Sequence, residues 1–153
     1  MTERRLKRRR KEDTTFRKLI DVGIALSSER NHNLLMERIL LEAKSICNAD
    51  GGTLYLLTDD DKLSFEIVRN DTMDIAFGGT TGKEIPFEPL NLFEPHSGKP
   101  NHTNVASHAF HMAELINISN AYEVNDYDFT GAQQFDEANS YKSKSFLTVP
   151  LKN

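Results

Sequence analysis

The sequence predicts an α+β domain, an antiparallel sheet with helices packed on one face and a loop-rich cover. Three observations carry this reading. Two N-terminal segments place apolar residues at helical spacing, residues 53–69 alternate apolar with polar side chains around a polar turn, and residues 70–103 are crowded with glycine and proline. At 153 residues the chain fits one domain, long enough to bury a core provided that all core elements are present.

The first helix is expected over 13–29, where Phe16, Leu19, Ile20, Gly23, Ile24 and Leu26 form one stripe, and the preceding basic run extends it. Ser28 to Asn33 is a polar break with capping residues. The second helix runs from about Leu34 to Cys47, with Leu35, Ile39, Ala43, Ile46 and Cys47 on its apolar face. Asn48-Ala49-Asp50-Gly51-Gly52 is expected to end it, the paired glycines supplying a C-terminal cap and a turn. Thr53–Leu57 and Lys62–Arg69 then form a hairpin across Thr58–Asp61, and the alternation of Leu63, Phe65 and Ile67 implies one buried face.

Within the loop-rich stretch, Lys83–Phe87 is a candidate third strand. Val105–Met112 reads as a short helix, and Leu115–Ile118 as a short strand. Residues 121–138 mix a helical turn with loop, and the last strand spans 146–151.

Composition excludes some functions. Hydrophobic residues make up 38% and charged residues 27%, as in ordinary globular chains. Residues 1–11 hold Arg4, Arg5, Lys7, Arg8, Arg9, Arg10 and Lys11 against Glu3, yet the net charge is -4, so the body is acidic. An acidic body argues against nucleic-acid binding as the main role. The basic run itself could meet nucleic acid or an anionic membrane surface, although a solvated helix end is the simpler reading. No stretch approaches the ~18 apolar residues of a membrane span. One cysteine allows no internal disulfide and fits a cytoplasmic protein, and Cys47 is read as a small core hydrophobe.

The chemistry-bearing residues are few. His96, His102, His108 and His111 fall close together, with His108 and His111 one helical turn apart. Two such histidines could share a metal, but a structural site needs about four ligands and a catalytic one about three plus water. They are therefore read as loop and wall histidines, and no metal is assigned. Gly78-Gly79-Thr80-Thr81-Gly82-Lys83 lacks the spacing of a phosphate-cradling loop and is read as a flexible loop. No catalytic residues are assigned.

Asn117-Ile118-Ser119-Asn120-Ala121-Tyr122 and the run from Phe135-Asp136 through Tyr141-Lys142-Ser143-Lys144-Ser145 to Phe146-Leu147-Thr148-Val149-Pro150-Leu151-Lys152-Asn153 resemble the GAF family. These are PAS-related sensor modules of cyclic-nucleotide phosphodiesterases, cyclases and bacterial signalling proteins. The resemblance covers residues 15–153, after a basic extension over 1–14. Ser119 stands where the family usually has proline, and Asn139-Ser140 where it has Thr-Gly, so that turn loses its glycine.

The resemblance implies a non-enzymatic sensor that binds a small ligand and controls an output outside this sequence, such as a phosphodiesterase, a cyclase or a histidine kinase. The alternatives are a structural dimerisation module without a ligand, or an N-terminal fragment of a signalling phosphodiesterase, cyclase or histidine kinase. By motif position it places Arg69, Asn70, Val105, Ala106, His108, Asn139 and Ser143 near the ligand. A cyclic nucleotide is one candidate ligand, and no other cofactor is implied. In related proteins the first helix forms a dimer contact, which Phe16, Leu19, Gly23 and Leu26 could supply, or these residues could face the domain's own core. The family also continues with a central strand and a C-terminal helix. Without them the chain is expected to be marginal as a monomer, or to form a homodimer through its open sheet edge.

Overall fold

The first apolar stripe forms helix α1 over residues 19–28. The computed structural model describes Thr14, Arg17 and residues 19–152, so the basic run at 4–11 and Phe16 lie outside the described residues. Helix α2 spans His32–Cys47. Asn31 caps it, its side chain accepting a hydrogen bond from Leu34 N at 3.2 Å. At the other end Asn48 takes a left-handed conformation (φ 51°) and donates its N–H to Lys44 and Ser45 carbonyls. Asparagine tolerates that conformation, so the helix stops before Gly51 and Gly52, which lie inside the next strand instead of ending the helix.

Strands β1 (Gly51–Leu57) and β2 (Lys62–Asn70) are neighbours in one sheet. Their turn is tied by Thr58, whose N–H donates to the Lys62 carbonyl at 2.9 Å and whose Oγ1 accepts from Lys62 N at 3.1 Å. Strand β3 (Ile75–Gly78) pairs antiparallel with β2, from Ile67 opposite Gly78 to Asn70 opposite Ile75. The short β4 (Leu90–Asn91) pairs antiparallel with the start of β2, Lys62 opposite Asn91.

The third strand is therefore not at Lys83–Phe87, which is irregular. A turn over 71–74, with Asp74 in the left-handed region at φ 52°, returns the chain to β2 at once. Gly78 then turns away at φ 66°. A Cβ there would lie 2.0 Å from the Glu66 carbonyl oxygen, so only glycine fits. Phe87 serves as an aromatic contact, its ring 5.3 Å from Phe65 and 6.0 Å from Phe135.

Helix α3 is Val105–Met112, and α4 is Thr130–Asn139, a full helix where a helical turn was expected. Strands β5 (Ile116–Ile118) and β6 (Phe146–Thr148) form a second, antiparallel sheet with Ile118 opposite Phe146.

The chain divides into two compact units. One holds residues up to Leu54 together with Glu66–Asp71 and Ile75–Ile85, and the other holds Tyr55–Phe65, Thr72–Asp74 and the residues from Pro86 onwards. In the first unit Met36 and Leu40 of α2 pack on Ile67, with Leu54 beside them. The buried face of α2 is Met36, Glu37, Leu40 and Lys44, one position round from the expected face. Ala43, Ile46 and Cys47 are exposed, so Cys47 is not a core residue. The shift has a physical cause. Glu37 and Lys44 are buried because each has a charged partner, Arg69 and Asp71 respectively, which hydropathy alone cannot show. In the second unit Val105, Ile118, Ala121 and Phe129 form the core, flanked by Tyr127 and Phe146.

Candidate functional site

Each unit carries a polar network of its own. In the first, Arg69 Nη2 donates to Glu37 Oε1 at 2.5 Å, and Arg69 Nη1 donates to the Phe77 and Val68 carbonyls at 2.5 and 2.8 Å. Glu37 Oε2 accepts from Thr80 N at 2.8 Å and from Thr80 Oγ1 at 2.5 Å. Burial alone would raise the Glu37 pKa. The hydrogen bonds from Arg69 and Thr80, together with the charge of Arg69, outweigh burial and hold it below its ordinary value. The glycine-rich stretch is thus pinned, forming a 3-10 turn over Gly79–Thr81 that closes on α2 through Thr80, not a flexible loop.

In the second unit, α3 begins at Asn104, whose side chain accepts from Ala106 N at 2.8 Å and Ser107 N at 3.4 Å. Ser107 is wholly buried, and among the described residues its Oγ is a buried polar atom without a hydrogen-bond partner. Asp136 on α4 is equally buried and has three donors: Tyr122 Oη at 2.7 Å, Ser143 N at 2.6 Å and Ser143 Oγ at 2.9 Å. This carboxylate fastens the segment after α4 to the helix, and Ala121 N adds a bond to the Lys144 carbonyl at 2.7 Å. Accepting from Tyr122 raises the pKa of that phenol. Burial pushes the Tyr55 phenol, in the same unit, up to about 12.

The sequence-predicted site residues separate accordingly. Arg69 and Asn70 belong to the first unit. Arg69 is ion-paired with Glu37, and Asn70 is buried beside Gly51, where a Cβ would meet its Nδ2 at 3.2 Å. Val105, Ala106, His108, Asn139 and Ser143 all belong to the second unit. Val105 is in the core, and Asn104 caps the Ala106 amide. His108 Nδ1 faces His102 Nδ1 at 3.1 Å. Asn139 Nδ2 donates to the Phe135 carbonyl at 2.8 Å, and Ser143 is held by Asp136. Among the described residues, no group of three or more His, Cys, Asp or Glu side chains could hold a metal ion. No described helix is long and apolar enough to cross a membrane.

No protein-family model matches the sequence. Solved structures do match. The GAF domain of an Acinetobacter phosphoenolpyruvate-protein phosphotransferase superposes with a TM-score of 0.60 at 13% identity, covering 92% of this chain and 69% of that one. The GAF domain of the Coxiella burnetii phosphoenolpyruvate-protein phosphotransferase (ptsP) superposes with a TM-score of 0.61 at 12% identity, covering 91% and 70%. The chain has the GAF fold.

Within this GAF fold the residues that sequence reading missed are the acceptors. Glu37 and Asp136 organise the two networks, yet each looks like an ordinary acidic residue on a helix. Asp136 did carry a signal, because it lies in the Phe135-Asp136 to Ser145 run that bears the family resemblance. The Ser140 departure is visible as well. Ser140 ends α4 in the left-handed region at φ 51°, the position for which glycine is suited.

Proposed function

We propose that this GAF fold serves as a non-enzymatic regulatory domain that binds a small ligand in its second unit and passes that state to a signalling output. The observation that carries the reading is the fold, shared with GAF domains of two phosphotransferases. A phosphotransfer system therefore joins the phosphodiesterases, cyclases and histidine kinases as a candidate output.

The proposed contacts are Val105, Ala106 and His108 on α3 with Asn139 and Ser143 around the end of α4. Asn and Ser side chains can hydrogen-bond a heterocycle, and amides at a helix start suit an anion. A ligand that takes the Ser143 hydroxyl competes with Asp136, and one that takes the Ala106 amide competes with Asn104. Such an exchange of partners gives two states whose populations a ligand can shift. We assign no ligand contact to Arg69 and Asn70, since Arg69 is committed to Glu37. A cyclic nucleotide remains one candidate ligand.

The test is thermal melting of the purified chain against nucleotides, cyclic nucleotides and small organic acids. A ligand at a hundred times its dissociation constant stabilises by ~2.7 kcal/mol. In a chain of this size that raises the melting temperature by roughly 5–10 °C.

A second reading, a dimerisation module without a ligand, is favoured by the exposed Leu19, Ile20 and Ile24 of α1, which leave 48%, 46% and 65% of their surface open. If no compound shifts the melt while Leu19→Glu with Ile24→Glu abolishes dimers in sedimentation, this second reading replaces the first.

A further inference from the structure

We infer that His102 and His108 form a binding site for a first-row divalent transition metal such as Zn²⁺, Cu²⁺ or Ni²⁺. Their Nδ1 atoms lie 3.1 Å apart with the rings 69° from coplanar. Two imidazole nitrogens each ~2.0–2.1 Å from one ion stand about 2.9 Å apart at a right angle and about 3.3 Å apart at a tetrahedral angle. The observed span falls between those values, so one ion can bind both nitrogens once the rings turn their lone pairs from each other to the ion. Imidazole is a ligand suited to zinc, copper and nickel.

The pair is placed by the fold. His108 sits on α3, whose start is fixed by Asn104, and its ring meets Tyr127 edge-on at 5.3 Å. His102 precedes Thr103, whose N–H and hydroxyl both donate to Asn101 Oδ1, at 3.1 and 2.6 Å. Asn101 is itself bonded through its N–H to the Leu92 carbonyl at 2.8 Å, and the Thr103 carbonyl accepts from Asp128 N at 2.7 Å. The helical neighbour His111 is not in the pair. Its Nε2 donates to the Leu92 carbonyl at 2.6 Å, which fixes that ring on the chain's own backbone. With two protein ligands, the remaining positions of the ion belong to water or to a small coordinating molecule.

The experiment is calorimetric titration of the untagged chain with Zn²⁺ alone, repeated with His102→Gln, His108→Gln, His111→Gln and the exposed His96→Gln. We expect one ion per chain, bound at least ~10-fold more weakly when either His102 or His108 is replaced and unchanged in the other two variants. Cu²⁺ loaded at one equivalent should show electron paramagnetic resonance coupling to two nitrogens, and to fewer in His102→Gln. His102 is an exposed loop residue, so His102→Gln carries the test if His108→Gln does not fold. The inference is overturned by no Zn²⁺ binding, by binding unaffected in His102→Gln, or by binding that depends on His108 and His111 instead.

Discussion

Glu37 and Arg69 lie 32 residues apart in sequence and form a buried ion pair at 2.5 Å between α2 and β2. Every oxygen of the carboxylate has a donor, and the guanidinium also serves backbone carbonyls of β2 and β3. The pair therefore joins a helix, two strands and the Gly79–Thr81 turn in one network.

Removing one partner should be costly, because the other is left buried and charged. Arg69→Met is expected to destabilise by ~3–5 kcal/mol, whereas Glu37→Leu with Arg69→Met should cost much less. Urea denaturation of the three proteins checks this. A double variant as unstable as the single one would contradict it.

The same pair sets an acid dependence. Glu37 has a folded pKa below its ordinary value of 4.5, so the folded state binds fewer protons there than the unfolded chain. Its stabilisation is complete above about 4.5 and is lost as the pH falls through the lower folded value. Melting temperatures recorded between pH 6 and pH 3 should fall, and Glu37→Gln should flatten that fall while lowering stability at pH 6.

Ser107 offers the opposite kind of test. A buried hydroxyl without a partner costs free energy that alanine does not. Ser107→Ala is expected to raise stability by ~1–2 kcal/mol without disturbing the cap from Asn104. A loss of more than ~1 kcal/mol in urea denaturation would show that the hydroxyl has a partner.

Two helix ends carry side chains where glycine is easier. Ser140 and Ala113 take left-handed conformations at φ 51° and 56°. Ser140→Gly and Ala113→Gly should each stabilise by ~1 kcal/mol. Asn48→Gly, at a residue that tolerates φ 51°, should gain less. Chemical denaturation of the three variants ranks them.

What the sequence showed and what it hid have physical reasons. Helix α3 was legible to the residue as Val105–Met112, and the structure adds the Asn104 cap that starts it. The hairpin was legible from its alternation and its Thr58–Asp61 turn. Strand β3 was hidden because Ile75–Gly78 is only 4 residues long, and α4 because Thr130–Asn139 is mostly polar, with Phe135 as its one large apolar residue. The face of α2 was misplaced by one position because buried charges look exposed until a distant partner is known. Of the candidate site residues, Val105, Ala106, His108, Asn139 and Ser143 lie in the second unit, and Arg69 is the partner of Glu37.

The most direct test of ligand binding at α3 and the segment after α4 is hydrogen–deuterium exchange. It compares the chain alone with the chain plus the compound giving the largest thermal shift. The account expects altered exchange in 104–112 and 139–145, with the amide of Ser143 changed as its bond to Asp136 is exchanged. Changes confined to α1 and α2, or no change at saturating compound, would contradict it.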